Sequence, residues 1–302
     1  MQVSFIAALP SIRPPFLLLA PICVCYGASI AVYNNQPINL SHLLLIIIGA
    51  VSALISVNCL NEYQDNASGL DANTKRTPFS GGSGLLQQQP ELASMVNQIA
   101  IISLTASFII GCYFAITIGL TIVPIGLIGS LIIFTYTRYL NKSPWLCLFA
   151  PGLGIGVLIA GGSYFVLTGE LIHPYLTLLL LIPFLQINNL LLLNQYPDIN
   201  ADQQAGRNHF PIAYGIKKSN LLYGTSALLS VVVLILTTRY LPLPKLILLA
   251  LVPMAFSFIS LYGMCKYQQK IAGQIKYLTF NVLSANLTPI VIAIILFNHS
   301  TL

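Results

Sequence analysis

The aspartates of this chain are gathered in two places. Asp65 and Asp71 lie in "NEYQDNASGLD", Asp198 and Asp202 in "NQYPDINADQQAGR", and the only other acids are Glu62, Glu91 and Glu170. Each stretch opens on an Asn-x3-Asp unit, beginning at Asn61 and Asn194. Carboxylate oxygens beside asparagine amides suit hard cations, Mg²⁺ or Ca²⁺, and not a soft metal. Mg²⁺ commonly takes one or two carboxylates together with the phosphates of a substrate. The nearby cations fit such a substrate: Lys75 and Arg76 follow the first cluster, Arg207 closes the second, and Arg138 and Lys142 lie between. The pattern therefore points to a metal-bridged diphosphate. The plainer alternative, polar caps of helices at a membrane surface, accounts for one such cluster more easily than for two that hold every aspartate.

Spacing predicts how these groups face. Asn61 and Asp65 share a helical face, and Asn194, Asp198 and Asp202 do so if their helix continues past Pro197. Asp71 cannot share the face of Asp65, because six residues turn a helix by about 240°. Asn66, Ser68 and Gly69 are the expected place for the chain to turn and bring Asp71 back.

The elements that must carry these residues follow from composition. Hydrophobic residues make up 56% of the 302 residues and charged residues 7%, with a mean hydropathy of +0.83. A soluble domain carries about a quarter charged residues, so most of this surface must face lipid. A bilayer core of roughly 30 Å needs about 20 apolar residues in a helix. Nine stretches qualify: 14–33, 41–60, 94–116, 118–137, 146–167, 174–195, 219–238, 243–262 and 277–297. The third and fourth are nearly continuous, separated by the stretch holding Gly119 and Pro124. The expectation is an all-α polytopic membrane bundle, one transmembrane domain over 1–302. The first run is longer than a signal peptide's apolar core and lacks a basic flank before Arg13, so it reads as a span.

With nine spans, eleven Lys and Arg residues fall on the side of the aspartates, and two, Arg239 and Lys245, on the other. The positive-inside bias places the N-terminus and the acidic loops in the cytoplasm. Topology thus accounts for the basic pI without a nucleic-acid partner, and no protein partner is expected. The two Asn-x3-Asp units end the second and sixth spans, an offset of four that suggests two parallel halves and one extra helix. The six cysteines form no CxxC pair and read as packing residues. His209 reads as a bystander and "SGGSG" as a hinge, with the weaker alternatives of an acid/base and of amides for phosphate. Glu170 and His173 fall on the far side.

On these residues the chain resembles the UbiA-type intramembrane prenyltransferases. "NEYQDNASGLD" is similar to that family's first aspartate motif and "NQYPDINADQQAGR" to its second. "IRPPFLLLAP", "FTYT" and "GGSYFVLTGE" resemble parts of its first, fourth and fifth helices. The resemblance implies about nine helices, Mg²⁺, and transfer of an isoprenoid chain from an allylic diphosphate to an aromatic acceptor. It implies that Asp65, Asp71, Asp198 and Asp202 hold the metal. Asn61, Asn194, Lys75, Arg76, Arg138, Lys142 and Arg207 would then bind the diphosphate. Tyr63, Tyr136, Tyr139 and Tyr196 would offer ring faces to a cation, or serve as interface anchors. The six-residue step from Asp65 to Asp71, with Gly69 between, is similar to the 1,4-dihydroxy-2-naphthoate branch of menaquinone synthesis, and "FSGGSGLL" points the same way. "RYLNKSP" departs from that branch after Thr137 and leaves 4-hydroxybenzoate or homogentisate as alternative acceptors. The rival of another class is a cation-coupled transporter, whose acids would sit near the bilayer midplane.

Overall fold

Inside a bilayer no water satisfies backbone groups, so long apolar runs must form helices. The computed structural model describes residues 5–69 and 77–299, and the regular structure among them is helical. The spans are Pro14–Tyr33, Leu40–Ser68, Pro90–Thr117, Ile122–Thr135, Pro144–Thr168, Leu178–Asn194, Phe210–Tyr240, Lys245–Gly273 and Ile275–Asn298. Seven are long and apolar enough to cross a membrane by length and composition, and the fourth and sixth are shorter apolar helices.

Chain direction alternates as nine passes require. Arg13, Asp65, Tyr136, Cys147 and Asn194 line one cavity, which joins the start of the first and fifth spans to the ends of the second, fourth and sixth. Tyr33, Tyr175, Leu241, Leu243 and His299 line another at the opposite end.

The sixth span, which leads into the second motif, is held by both neighbours and by the ninth span. Gly152 and Gly156 of the fifth span lie in a π-helical stretch, Gly152–Ile159, that presses on it. A Cβ at Gly152 would meet Asn188 Oδ1 at 2.3 Å, and one at Gly156 would meet Phe184 N at 2.7 Å. Small residues four apart allow this approach, and Gly152 N donates to Asn188 Oδ1 at 2.7 Å. On the other side Asn189 Nδ2 donates to Tyr223 O (3.0 Å), and Tyr223 Oη to Asn281 Oδ1 (2.6 Å). Gln186 Oε1 accepts from Ser284 Oγ at 2.8 Å. Such interhelical hydrogen bonds lock helices whose apolar faces lipid would cover equally well.

Three local expectations change. The second span does not turn at Asn66; it stays helical through Ser68 and ends on Gly69, whose φ of 74° is the left-handed cap that glycine adopts cheaply. The sixth helix does not continue through Pro197. It stops at Asn194, and Asp198 caps a new short helix, Ile199–Gln204. The residue before a proline is steered away from helical geometry, which is why the break falls there. The seventh helix begins at Phe210, earlier than its apolar run, and loses helical geometry at Gly215 (φ 79°, ψ 167°).

Candidate functional site

The second span has 29 residues, about 43 Å of helix, so its last turns outrun a hydrocarbon core of roughly 30 Å. Asn61 and Asp65 sit one turn apart on that extension, and both line the cavity. Asn194, Asp198 and Asp202 reach the same cavity from the opposite side. After Asp202 the chain reverses at Gly206 (φ 78°), and Arg207 N donates back to Asp202 O at 2.9 Å.

This reversal aims Arg207 into the cavity. Its Nη1 donates to Asp202 Oδ1 at 2.8 Å, and its Nη2 donates to Asp65 Oδ1. One guanidinium therefore joins the two motifs. His209 Nε2 lies 2.9 Å from Asp202 Oδ2, and the imidazole is buried. Asp198 lines the same cavity as Gly81.

Burial pushes the Asp198 carboxyl up to about 7, helped by the charge of Asp202 and opposed by Arg207. Burial works against the Arg207 charge, but Asp65 and Asp202 outweigh it and hold its pKa above the ordinary value. Several oxygens at this site are buried without a hydrogen-bond partner among the described residues: Asp198 Oδ1, Asn194 Oδ1, Asn141 Oδ1 and Gln195 Oε1. Buried polar atoms normally have partners, so a concentration of orphans facing one cavity marks a ligand site.

A polar chain ties the fourth–fifth connection to both motifs. Thr137 Oγ1 donates to Asn61 Oδ1 at 3.1 Å, Asn141 Nδ2 donates to Thr137 O, and Asn208 N donates to Asn141 O at 2.9 Å. Tyr136 Oη lies 3.8 Å from Cys147 Sγ, to which Gln195 Nε2 donates at 3.4 Å.

Of the residues that spacing and charge single out, Asn61, Asp65, Asn194, Asp198, Asp202 and Arg207 converge on this cavity. Asp71, Lys75 and Arg76 lie outside the described residues. Arg138 and Lys142 do not join it: both are exposed and outside its lining, and the Arg138 guanidinium rests 5.6 Å from the Tyr139 ring centre. Among the tyrosines only Tyr136 lines the cavity; Tyr196 is buried, with its hydroxyl donating to Asn220 Oδ1 at 2.7 Å, and Tyr139 is exposed. Arg13, Asn141 and His209, which the acidic motifs do not single out, also line the cavity. Arg13 carries a readable signal. It precedes Pro14-Pro15 and takes a left-handed φ of 53°, and its guanidinium lies over Phe16 at 4.6 Å. His209 has only its nearness to Asp202.

Residues 18–295 match the sequence model of the UbiA prenyltransferase family. Among solved structures, a UbiA homologue from Archaeoglobus fulgidus bound to DMAPP and Mg²⁺ is similar, with a TM-score of 0.69 and 13% identity over 97% of this chain and 99% of that one. An apo UbiA homologue from Aeropyrum pernix K1 gives 0.68 and 13% over 91% and 94% of the two chains. A structure of digeranylgeranylglyceryl phosphate synthase gives 0.66 and 17% over 97% and 98%. At these identities the likeness establishes the fold. A comparison with curated proteins gave no match.

Proposed function

The chain belongs to the UbiA prenyltransferase family, and from that premise we propose that it transfers an isoprenoid chain from an allylic diphosphate to 1,4-dihydroxy-2-naphthoate. The observation that carries this reading is Arg207 held between Asp65 and Asp202, with Asp198 in the same cavity. Two acidic motifs and a guanidinium at one point suit a diphosphate and its counter-ion.

The donor set fits Mg²⁺. It is all oxygen, and Asp198 Oδ1 and Asn194 Oδ1 are buried without partners among the described residues. Among the described residues no three His, Cys, Asp or Glu side chains close a metal site by themselves. That arrangement suits an ion that completes its shell with substrate phosphates and water. Asp65, Asp198 and Asp202 would hold it with Asn61 and Asn194, joined by Asp71 from the segment outside the described residues. When bound, Mg²⁺ supplies positive charge that stabilises the departing pyrophosphate. Structures of the Archaeoglobus fulgidus homologue bound to DMAPP or GPP with Mg²⁺ support the same assignment.

Arg207 orients the diphosphate by the paired N–H geometry it now offers to two carboxylates. Phe16 and Leu191 in the lining keep water from the allylic carbon. The carbon–oxygen bond to the diphosphate breaks with its electron pair leaving on oxygen, and the electron-rich ring attacks the allylic cation. Tyr136 presents a ring in the lining to that charge. With dihydroxynaphthoate, the ring carbon that accepts the chain sheds its carboxyl group as CO₂. The naphthoate branch rests on the six-residue step from Asp65 to Asp71 in the sequence. The excess of Lys and Arg on the cavity side supports a reaction at the cytoplasmic face.

Membranes containing the protein are incubated with geranyl or farnesyl diphosphate, Mg²⁺ and 1,4-dihydroxy-2-naphthoate, and products are read by mass spectrometry. A prenylated product without the carboxyl group is expected. Product on 4-hydroxybenzoate or homogentisate alone would move the acceptor and keep the mechanism. No pyrophosphate release with any acceptor would overturn the reading in favour of a cation-coupled transporter.

A further inference from the structure

Glu62 lies on the same helix as Asp65, one turn before it, yet does not line the cavity. It is 2% exposed, and a carboxylate so buried must be hydrogen-bonded to be tolerated. Its Oε2 accepts from Ser83 N at 2.9 Å and its Oε1 from Ser83 Oγ at 2.5 Å. Both oxygens thus go to one residue of one loop.

That loop forms a wall of the cavity. Phe79, Ser80, Gly81 and Gly82 line it, directly before Ser83. Gly81 and Gly82 have φ of 80° and 70°, a backbone that other residues adopt only at a cost. Neither a helix nor a sheet ladder fixes such a segment, so side chains must. On one flank Thr77 Oγ1 accepts from Phe79 N (3.1 Å) and Ser80 N (2.9 Å). On the other flank stands the Glu62–Ser83 pair, and Ser83 Oγ also accepts from Leu85 N at 3.1 Å. Between the two anchors sits Gly81, which lines the cavity together with Asp198 of the second motif.

We infer that Glu62 is a positioning residue: through Ser83 it holds the Phe79–Gly84 loop as the wall against which the diphosphate seats. The first motif thereby shapes the wall that shares the cavity with the second. The inference rests on the diphosphate reading above and adds a residue that binds no substrate itself.

The test uses the full-length protein in detergent and measures binding of pyrophosphate with Mg²⁺ by calorimetry, alongside the KM of the acceptor. Glu62→Gln and Ser83→Ala are each expected to weaken binding on the order of tenfold, the scale of one hydrogen bond to a charged group. The double variant should lose no more than either single one, because both break the same link. Ser83→Thr, which keeps the hydroxyl, should bind as the parent does, and the acceptor KM should not move in any of them. A merely structural role would shift both substrates together and would show no rescue. Should Glu62→Gln fail to fold, the Ser83 pair decides. Unchanged pyrophosphate binding in Ser83→Ala, or equal loss in Ser83→Ala and Ser83→Thr, would overturn the inference while the functional reading stands. Absence of Mg²⁺–pyrophosphate binding in the parent protein would overturn the functional reading and this inference with it.

Discussion

The first motif begins Asn61-Glu62-Tyr63-Gln64-Asp65 and the second Asn194-Gln195-Tyr196-Pro197-Asp198, so the two differ at only two of five positions. Their backbones nevertheless part company. The first stays on one helix to Ser68, whereas the second leaves its helix at Asn194 and restarts at Ile199. Pro197, where the first motif has Gln64, accounts for the break. The matching side chains at Glu62 and Gln195 both act as tethers, one to Ser83 and the other to Cys147 of the fifth span. Asp65 is thus fixed by a continuous helix. Asp198 stands at the start of a short separate helix that carries Asp202, and Arg207 and His209 hold Asp202 from outside. A shared spacing delivers the same oxygens to one cavity by a rigid route and by a tethered one.

Removing the carboxylates should produce the largest effect and should not distinguish the two routes. Asp65→Ala and Asp198→Ala are each expected to lower prenyl transfer by 10² to 10³-fold or more, the scale of one preorganised electrostatic contact. Both proteins should still fold in the membrane, as size-exclusion profiles in detergent would record. Near-normal turnover in either would remove that residue from the metal site.

Arg207 tests the link between the routes. Arg207→Gln leaves Asp65 and Asp202 facing each other without their shared cation. The metal-free protein should lose about 3 kcal/mol, since breaking a buried pair strands a charge. Thermal unfolding with and without Mg²⁺ would check this, and added Mg²⁺ should restore part of the loss. Equal melting of variant and parent without metal would show that the bridge carries no stability.

The tethered route should respond to pH near neutrality. Asp198 keeps its proton up to about 7, so a proton competes there with a metal ion. Mg²⁺–pyrophosphate affinity should therefore rise by about tenfold per pH unit at most as pH climbs through 7, then level off. Because this pKa is raised on folding, its contribution to metal-free stability is fully present below about pH 4, the ordinary range. It is lost as pH rises through 7. Asp198→Asn should flatten both curves. A rise that survives in Asp198→Asn would assign it to another group.

The smallest effect separates the two tethers. Gln195→Leu breaks only a long hydrogen bond to sulfur and should cost less than about 1 kcal/mol, well below Glu62→Gln. Unfolding curves for the two variants side by side would show whether the paired positions carry unequal weight.

Much of this molecule could be read without coordinates, because lipid and backbone hydrogen bonding leave an apolar run of about 20 residues one choice of structure. The runs alone gave the helical bundle and the placing of Asn61, Asp65, Asn194 and Asp198 at or just past helix ends, where they line one cavity. Oxygen ligands at that spacing also indicated the class of ligand. The sequence could not say which charges would join them. Arg138 and Lys142 looked equivalent to Arg207, but only Arg207 follows a left-handed glycine that turns it into the cavity. His209 carries no pattern of its own, and Glu62 sits in the first motif while serving a loop 21 residues away. Composition fixes where a polar side chain lies along the membrane normal, since burial in lipid is costly along that axis. Direction around the axis depends on turns, caps and partners far along the chain, and the tertiary structure alone decides it.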